Sequence, residues 1–390
     1  MLILTHPDTL LHRTIEILCG KCFDAYECPE RLEAILSAVK EKKHGHRLVD
    51  ISKPQNEDEE GVKIRADELL SRSHDKEYIS YLQTIHRQWV EKGVIKEDQS
   101  LLPECFFVAR MAKMLGDVGP PVDVLAKPGY YSFDLSTGIM KDTWKSIIAS
   151  AKLVVEGIGY LFGNAPFITG GASKDILVLT RPPGHHCTTD MAGGYCYVNN
   201  AVLAVLGIQE AHQQSHAGKA YEKPLVGIVD IDFHHGNGTQ QYFYEDPSVA
   251  YFSVHGKDEY PYFTGKASET GRGAGEGFNK NVPLPAGSSL GRWMAGLSEG
   301  LSWLESLQPQ YLVVSLGFDT HHMDIMGNFK IGEEDYHDVG QAIRCAIKGV
   351  PSMILLEGGY HIPGLGESMV NFLKGWEDVD TRDERALMRF

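Results

Sequence analysis

The stretch Leu225-Val-Gly-Ile-Val-Asp-Ile-Asp-Phe-His-His-Gly-Asn-Gly238 joins an apolar run to a dense group of polar side chains. An apolar run without polar alternation is typical of a parallel strand that is covered on both faces. Similar runs occupy residues 176–180, 249–254, 311–316 and 352–356, and helical patterns cover residues 200–213, 290–307 and 333–348. This alternation predicts an α/β fold, in which helices cover both faces of a central, mainly parallel sheet.

Polar side chains also follow three of the other predicted strands. The sequences are Arg181-Pro-Pro-Gly-His-His186 after residues 176–180, Gly317-Phe-Asp319 after residues 311–316, and Glu357-Gly-Gly-Tyr360 after residues 352–356. Ligands of an open α/β sheet bind beyond the carboxyl ends of its strands. Four strands are therefore expected to bring two adjacent histidines, a D-x-D-x-H group, an aspartate and a tyrosine to one edge of the sheet.

Asp232, His234 and Asp319 have the side chains of a metal site. In an extended segment, residues two apart point to the same side, so Asp232 and His234 can reach one ion, and Asp319 adds a third ligand from another strand. Two carboxylates and one imidazole suit Zn²⁺ and leave a position open for water and substrate. Fe²⁺ and Co²⁺ accept the same ligands, so the pattern predicts the site and not the native metal.

The remaining polar residues at this edge have the groups that amide hydrolysis needs. His185 and His186 offer a proton donor and a proton acceptor near neutral pH. Asp230 and Asn237 are candidates to orient the two imidazoles, and because one is charged and the other neutral, the two histidines would differ in basicity. Tyr360 follows two glycines and can donate a hydrogen bond to a developing oxyanion.

Each of these fragments also has a plain structural interpretation. A His-His pair is usually a surface or packing detail, an aspartate at a strand end commonly caps the next helix, and Gly-Gly-Tyr is an ordinary turn. The fragments become informative together, because all of them follow predicted strands and supply complementary roles. The set predicts a metal-dependent amidohydrolase that acts on linear amides.

The ordered set of motifs resembles the zinc-dependent histone deacetylase superfamily. The matching motifs are Arg181-Pro-Pro-Gly-His-His186, Gly193-Gly-Tyr-Cys-Tyr-Val-Asn-Asn200, Asp230-Ile-Asp-Phe-His-His-Gly-Asn-Gly238, Gly317-Phe-Asp319 and Glu357-Gly-Gly-Tyr360, with weaker support from Glu27-Cys-Pro-Glu-Arg31. The resemblance implies an arginase/deacetylase-like α/β fold, built as a single domain over residues 1–390. It also implies hydrolysis of N-acyl amides of amines.

The resemblance assigns a role to each matching residue. The implied zinc ligands, for one catalytic ion, are Asp232, His234 and Asp319. The implied catalytic residues are His185, His186, Tyr360, Asp230 and Asn237. In this assignment His186 is the general base and acid, His185 is its electrostatic partner, and Tyr360 polarises the substrate carbonyl. The implied substrate-binding residues are Gly194, Tyr195 and Phe263, the last two as aromatic walls of the tunnel.

Potassium is the second cofactor that the resemblance implies, as one or two structural ions. The first K⁺ would lie near Asp230, Asp232, His234, Ser253 and Val254. The second would be held largely by backbone carbonyls around Phe243, Asp246 and Val249.

Within the superfamily, three stretches are similar to the bacterial acetylpolyamine amidohydrolase branch. They begin at Gly129-Tyr-Tyr-Ser-Phe, at His255-Gly and at Gly273-Ala-Gly-Glu-Gly. The N-terminal stretch from His6-Pro to Glu27-Cys-Pro-Glu-Arg31 resembles the extended first loop by which that branch forms homodimers that close over the active site. Residues 1–125 are accordingly expected to form part of the site rim and a dimer interface. The branch implies small acylated amines, such as acetylputrescine or acetylcadaverine, as substrates. His321-His322 and Lys266 depart from its pattern, and Asp134 is a candidate either for hydrogen bonding to substrate at the rim or for capping its own loop.

Composition narrows the partners and the compartment. The net charge of −15 disfavours nucleic acid as a partner, because phosphate binding needs clustered Lys and Arg, and it suits a cationic amine. No apolar stretch is long enough for a membrane span and the N-terminus lacks a signal-peptide pattern, so we expect a cytoplasmic protein without a membrane partner. The seven scattered cysteines, Cys19-Gly-Lys-Cys22 included, are expected to be reduced thiols.

Three other functions compete with a deacetylase of small acylated amines. An acyl-lysine protein or peptide deacetylase would use the same chemistry. A binuclear manganese ureohydrolase needs D-x-H-x-D runs with extra carboxylates, whereas residues 230–234 read D-x-D-x-H. A non-catalytic acetyl-amine sensor would have lost Tyr360, a metal ligand or one of the paired histidines, and the sequence keeps all of them.

Overall fold

The computed structural model describes residues 1–41, 46–52, 59–108, 119–163, 174–216 and 222–378. Its strands are β1 (Leu2–Thr5), β2 (Ile15–Leu18), β3 (Lys21–Asp24), β4 (Arg47–Asp50), β5 (Asp175–Val178), β6 (Val226–Asp230), β7 (Val249–Gly256), β8 (Asn279–Leu284), β9 (Tyr311–Leu316) and β10 (Ser352–Leu356). Its helices are α1 (Pro29–Glu41), α2 (Glu59–Ser73), α3 (Lys76–Glu91), α4 (Lys127–Tyr130), α5 (Thr143–Phe162), α6 (Asn200–Ser215), α7 (Asn237–Phe243), α8 (Leu290–Ser306), α9 (Tyr336–Ala346) and α10 (Ile362–Glu377).

Eight of the strands form one sheet in the order β4-β1-β5-β10-β9-β6-β7-β8, and β2 and β3 form a separate antiparallel hairpin. Every neighbouring pair in the large sheet is parallel. All residues of β6 and β7 are buried, as expected for strands that are covered on both faces. The predicted α/β fold with a central parallel sheet is confirmed.

Two hydrophobic cores lie on opposite faces of this sheet. Neighbouring residues of a strand point to opposite faces, so Ile228 of β6 belongs to one core and Val229 to the other. Helices α5 and α6 pack in the first core, with Leu153 and Ala201 among its buried residues. Helices α8, α9 and α10 pack in the second, which includes Trp293. Helices therefore cover both faces, as predicted.

The sheet order places the predicted functional motifs side by side. Strands β5, β10, β9 and β6 are consecutive neighbours at the centre of the sheet, and each is followed by one of the four polar motifs. Because all four strands are parallel, their carboxyl ends lie at the same edge. The convergence of the motifs is thus a direct result of the strand order.

Strands β1, β4 and β8 were not predicted from the sequence. β4 is an edge strand of four residues, and β8 is the opposite edge strand, in which buried and half-buried residues alternate. These two strands lack the apolar run by which the central strands are recognised. β1 is four residues long, as β5 is, and was missed although Leu2, Ile3 and Leu4 are apolar and buried.

Two further expectations concern the surface of the chain. Within the described parts of the chain, none of the helices has the length and apolar character needed to cross a lipid bilayer. All seven cysteines are free thiols, and Cys19 and Cys22 are exposed on the β2–β3 hairpin. The expectation that the chain is a single domain stays a prediction, as does the expectation that residues 1–125 form part of the active-site rim and a dimer interface.

Two buried histidines predict a stability that is sensitive to acid. Burial lowers the pKa of His12 and of His74 to about 3 in each case. The unfolded chain binds protons on these rings near pH 6.5, whereas the folded chain binds them only near pH 3, so the unfolded state holds more protons between these values. We expect the free energy of unfolding to fall by about 1.4 kcal/mol per pH unit for each ring as the pH drops from 6.5 towards 4.

Urea denaturation between pH 7 and pH 4.5 measures this slope. His74→Gln is expected to be less stable at pH 7, because Nε2 of His74 accepts the backbone N–H of Asn199, but to have a shallower pH slope. His216→Gln is the control, since His216 is exposed, and it should keep the slope of the unsubstituted protein. An unchanged slope in His74→Gln would contradict the prediction.

Candidate active site

Three metal-ligating side chains meet beyond the carboxyl ends of β6 and β9. Nδ1 of His234 lies 3.2 Å from Oδ1 of Asp232 and 2.9 Å from Oδ2 of Asp319. One ligand atom from each residue lies within 4.8 Å of the other two, and all three residues are buried. Two carboxylate oxygens and one imidazole nitrogen are a donor set that fits a zinc ion.

The charges of this cluster show why a cation would stabilise it. Burial lowers the pKa of His234, but the hydrogen bonds with Asp232 and Asp319 outweigh burial and raise this pKa to about 10. Burial and the negative charge of Asp232 raise the pKa of Asp319 to about 7. Two carboxylates in so small a buried volume repel each other, so a positive charge between them lowers the energy of both.

A second group of potential ligands, His185, Cys196 and Glu357, fits a metal less well. The carboxylate of Glu357 accepts the backbone N–H of Gly184 at 2.7 Å and that of His185 at 3.2 Å. The thiol of Cys196 donates to the carbonyl oxygen of Gly194 at 3.3 Å. Because this group has only one carboxylate, the cluster of Asp232, His234 and Asp319, which has two, is the better metal site.

Two glycines allow neighbouring strand ends to approach Asp232. A Cβ atom on Gly317 or Gly358 would lie 2.2 Å or 2.6 Å from Oδ2 of Asp232, which is closer than real Cβ atoms come. The backbone N–H of Gly358 instead donates to this oxygen at 2.8 Å, and the N–H of Phe233 donates to Oδ1 of Asp319 at 2.7 Å. Backbone groups therefore orient both carboxylates before any ion binds.

The paired histidines lie beside this cluster and have different partners. Nδ1 of His185 lies 3.1 Å from Oδ2 of Asp230, and Nδ1 of His186 lies 2.8 Å from Oδ1 of Asn237. The Asn237 amide nitrogen donates to the carbonyl oxygen of His186, so the amide oxygen faces the imidazole and Nδ1 of His186 carries a proton. In this tautomer the lone pair of His186 is on Nε2.

These partners give the two imidazoles opposite charge states. Burial lowers the pKa of His185, but the charges of Asp230 and Asp232 outweigh burial and raise this pKa well above its usual value. Burial, together with the positive charges of His185 and His234, holds the pKa of His186 well below its usual value. His185 is thus the cationic ring and His186 the neutral one, which is the difference in basicity that Asp230 and Asn237 predict.

Tyr360 is held by contacts to the turn on which it lies. The carboxylate of Asp324 accepts the backbone N–H of Tyr360 at 2.5 Å and that of His361 at 2.9 Å. The guanidinium of Arg31 lies 4.8 Å from the centre of the Tyr360 ring, and its Nε donates to the carbonyl oxygen of Gly359 at 2.5 Å. Burial raises the pKa of Tyr360 well above the usual range, so the phenol keeps its proton and can donate it in a hydrogen bond.

Gly194 lies against His186 and Tyr195 lies against Tyr360, and their expected role in substrate binding stays a prediction. A Cβ atom on Gly194 would lie 2.2 Å from Cδ2 of His186, so only glycine fits there. The Tyr195 ring is buried with its centre 5.5 Å from that of Tyr360. Its hydroxyl donates to Oε2 of Glu16 at 2.8 Å, a contact that the sequence did not predict.

Phe263, the second expected aromatic wall, has a side chain that is 86% exposed. The Tyr260 ring lies 5.0 Å from the His186 ring and 5.9 Å from the His234 ring, centre to centre. Both residues belong to a tight turn, in which Tyr262 has a φ of 69° and its N–H donates to the carbonyl oxygen of Glu259. Tyr260 is thus an aromatic residue of the site that the sequence did not predict, and the role of Phe263 as a tunnel wall stays a prediction.

The expected potassium ligands form two groups in the structure. Asp230 of β6 and Ser253 of β7 are direct partners in the sheet, and Val254 follows Ser253. In the second group, the carbonyl oxygen of Phe243 accepts the N–H of Asp246, and the carbonyl oxygen of Asp246 accepts the N–H of Val249. Potassium binding at these groups stays a prediction.

The residues that depart from the pattern of the acetylpolyamine branch differ in their surroundings. His321 is buried and stacks on His361, with 5.0 Å between ring centres, and its Nε2 lies 3.2 Å from Oε2 of Glu333. Lys266 is exposed. The carboxylate of Asp134 accepts the N–H of Ser136 within its own loop and also contacts residues beyond it.

Arg31 and Glu357 are further residues whose importance the sequence did not predict. Arg31 belongs to the motif Glu27-Cys-Pro-Glu-Arg31, which indicated the family but no role. Its Nη1 donates to Glu27 at 2.9 Å, and its Nη2 donates to the carbonyl oxygen of Glu357 at 2.6 Å. The sequence does not show that α1 packs against the end of β10, and this packing is what buries and pairs the charge of Arg31.

A cluster of metal ligands beside paired histidines at the edge of a parallel sheet is typical of metal-dependent amidohydrolases. The family model described as histone deacetylase domain matches residues 25–376, and the chain belongs to this family. This match confirms the family and the hydrolytic class that the sequence motifs predicted.

The chain is similar over nearly its whole length to several characterised relatives. It is 34% identical to acetylpolyamine amidohydrolase 1 of Pseudomonas aeruginosa over 93% of this chain and 94% of the relative. It is also 34% identical to the acetylpolyamine amidohydrolase of Mycoplana ramosa, over 96% of this chain and 98% of the relative. The crystal structure of an acetylpolyamine aminohydrolase from Burkholderia pseudomallei superimposes with a TM-score of 0.80 at 29% identity, over 97% of this chain and 99% of that one.

Replacement of Arg31 tests the importance of the contacts between α1 and the Tyr360 turn. Arg31→Lys keeps the charge but cannot contact Glu27 and two carbonyl groups at once. We expect the free energy of unfolding to fall by about 3 kcal/mol, because lysine leaves at least one of these three buried acceptors without its donor. The measurement is urea denaturation at pH 7.

The matched control is Arg13→Lys. Arg13 pairs with Glu30 at the surface, where both side chains are largely exposed, and such pairs contribute at most about 1 kcal/mol. Equal losses of stability in the two variants would contradict the conclusion that the buried contacts of Arg31 hold α1 against the Tyr360 turn.

Proposed function

We propose that this protein is a zinc-dependent deacetylase that hydrolyses N-acetyl amides of small cationic amines, such as acetylputrescine and acetylcadaverine. The observation that carries the proposal is the position of the His186 imidazole, whose Nδ1 lies 2.8 Å from Oδ1 of Asn237 and whose ring centre lies 6.0 Å from that of His234. A proton acceptor beside a metal site is what amide hydrolysis by water requires. The near-full-length similarity to acetylpolyamine amidohydrolases supports the substrate class.

Asp232, His234 and Asp319 would hold the zinc ion. A Zn²⁺ ion bound there would supply Lewis acidity, which polarises the amide carbonyl and lowers the pKa of a water molecule. The buried carboxylates of Asp232 and Asp319 and Nδ1 of His234 offer the required charge and donor atoms.

His186 is the group that moves the proton in this proposal. Its Nε2 lone pair accepts a proton from the attacking water, and the same nitrogen later donates that proton to the leaving amine. Asn237 holds Nδ1 of this ring in the protonated state, which keeps Nε2 available. His185 stays cationic beside Asp230 and stabilises the negative charge that develops on the substrate oxygen.

Tyr360 supplies the hydrogen bond to the carbonyl oxygen as it becomes an oxyanion. The raised pKa of this phenol makes it a donor throughout the neutral range. Asp324 and Arg31 hold the turn that carries it, so the hydroxyl needs little reorganisation during the reaction.

The space between Tyr195 and Tyr260 suits a slim, flexible acylated amine. The Tyr195 ring is buried beside Tyr360, and the half-buried Tyr260 ring lies beside His186, so a substrate chain would pass between two aromatic side chains. The net charge of −15 favours approach of a cationic substrate. A homodimer and structural K⁺ ions belong to the same proposal.

Metal loading tests the cofactor. We expect about one zinc ion per chain after dialysis against zinc, and a melting temperature several degrees lower after removal with a chelator, because the ion binds only the folded state. Asp319→Asn is expected to lose the ion, since it removes one of two charged ligands. The measurement combines elemental analysis with calorimetry.

Cys196→Ser is the control for this experiment. Cys196 belongs to the second group of ligating atoms, and its thiol donates to the carbonyl oxygen of Gly194, which a serine hydroxyl can also do. This variant should keep one zinc ion per chain. Loss of zinc in Cys196→Ser, with zinc retained in Asp319→Asn, would place the metal at the other group.

Substrate preference tests the function itself. The kcat/KM of the zinc-loaded protein on N-acetylputrescine and N-acetylcadaverine is expected to exceed that on an acetyl-lysine peptide. Tyr360→Phe should lower kcat on all substrates by about 100-fold to 1000-fold, the usual loss for one oxyanion donor.

Tyr311→Phe is the matched control. Tyr311 is the first residue of β9, at the end of the strand that lies away from the site, so this variant should leave kcat unchanged. Preference for the peptide would replace the polyamine substrate with an acyl-lysine protein or peptide and keep the chemistry. Inactivity on both substrates with zinc bound would contradict the proposal and favour an acetyl-amine sensor.

A further inference from the structure

The carboxylate of Asp134 connects two sides of the space above the metal ligands. Its Oδ2 accepts the hydroxyl of Tyr260 at 2.7 Å, the backbone N–H of Gly194 at 2.7 Å and the hydroxyl of Ser136 at 2.6 Å. Its Oδ1 accepts the N–H of Ser136 at 3.2 Å and the hydroxyl of Thr137 at 3.1 Å. Two of these five donors belong to residues that line the site.

Tyr260 and Gly194 approach His186 from different segments of the chain. The Tyr260 ring meets the His186 ring edge-on, with 5.0 Å between centres. Gly194 is so close that a Cβ atom would lie 2.2 Å from the same imidazole. Gly194 also precedes Tyr195, so a displacement of Gly194 would carry the second aromatic wall with it.

We propose that the hydrogen bond between Tyr260 and Asp134 is a strut that fixes the distance between the two aromatic walls and thereby determines substrate specificity. The strut admits linear acylated amines and excludes those that are branched next to the amide. This inference rests on the proposed deacetylase function and deepens it. Tyr260 lines the site, whereas Asp134 is a positioning residue that acts through Tyr260 and Gly194.

The hydrogen-bond capacity of Asp134 supports a structural role over direct contact with substrate. A carboxylate has about four lone-pair sites, and five donors already point at this one. A substrate N–H or ammonium would have to displace one of them. Of the two roles considered for Asp134 from the sequence, contact with substrate is therefore the less favourable.

The opposite wall is held in a similar way. The Tyr195 hydroxyl lies 3.0 Å from Oε1 and 2.8 Å from Oε2 of Glu16, which is itself buried. The backbone N–H of Tyr195 donates to the hydroxyl of Thr137, which in turn donates to Asp134. Both tyrosine hydroxyls thus end on carboxylates, and the same loop anchors both walls. A free phenol or phenyl ring could rotate away from a bulky substrate, but these rings are held.

Removal of one hydroxyl tests the strut. Tyr260→Phe keeps the ring and breaks the bond to Asp134. We measure the ratio of kcat/KM for an N-acetyl diamine with a methyl branch next to the amide nitrogen to that for the unbranched diamine. This ratio is expected to rise by about fivefold to tenfold, which corresponds to one hydrogen bond. Tyr262→Phe is the matched control, because Tyr262 is 65% exposed two residues away, and its ratio should not change.

A double-mutant cycle separates the strut from a direct effect of the hydroxyl. If Tyr260 acts through Asp134, Asp134→Asn raises the ratio, and adding Tyr260→Phe raises it little further. Additive effects would mean that the Tyr260 hydroxyl contacts substrate independently, and they would overturn the strut. An unchanged ratio in Tyr260→Phe, with a melting temperature showing that the variant is folded, would overturn it as well.

Binding of metal-chelating inhibitors keeps this test independent of turnover. The ratio of Kd values for a branched and a linear alkyl hydroxamate should shift in Tyr260→Phe as the kinetic ratio does. If the unsubstituted protein hydrolyses no acetylated amine but Tyr260→Phe still shifts this Kd ratio, the proposed function fails and the strut stands. If the protein is active and neither ratio shifts, the strut fails and the function stands.

Discussion

The burial of four carboxylates at one edge of the sheet is the constraint on which the rest of the site depends. They belong to Asp230, Asp232, Asp319 and Glu357, none of which is more than 1% exposed. Unpaired carboxylates in such a place would take up protons, because burial disfavours their charged form. Backbone N–H groups and two imidazoles offset this cost, and the proposed cation would offset it further. The cationic state of His185 and the proposed metal affinity of the cluster therefore have the same physical origin.

This constraint reaches the N-terminal part of the chain through buried ion pairs. Burial raises the pKa of Glu27, but Arg181 and Arg31 outweigh it and hold this pKa below its usual value. Arg181 lies three residues after the end of β5 and precedes the paired histidines, whereas Arg31 lies on α1 and contacts the turn before Tyr360. The Glu27 carboxylate thus links the segment of the paired histidines and the segment of Tyr360 to α1. The N-terminal segment is consequently part of the architecture of the site and more than a cover for it.

The central sheet and the ligand cluster could be predicted from the sequence because both follow from local rules. The strands β9 and β10 have the bounds that their apolar runs indicate, and the motifs follow strands in the expected way. The edge strands β4 and β8 have half-buried residues, so their sequences lack that signal. The structural roles of Arg31 and Glu16 also could not be predicted from the sequence, because their hydrogen-bond partners are distant in sequence and only the assembled fold brings them together.

The position of Tyr260 shows where sequence reasoning reaches its physical limit. A strand or helix has a period that determines which side chains share a face, but the turn at residues 259–263 has none. Both Tyr260 and Phe263 are aromatic, so removal of either ring from water would be favourable by similar amounts. Of the two, only Tyr260 has a hydroxyl, and this hydroxyl donates to the Asp134 carboxylate. The hydrogen bond of the phenol therefore explains why Tyr260 is the ring that lies beside His186, although the loop sequence alone does not show where the acceptor lies.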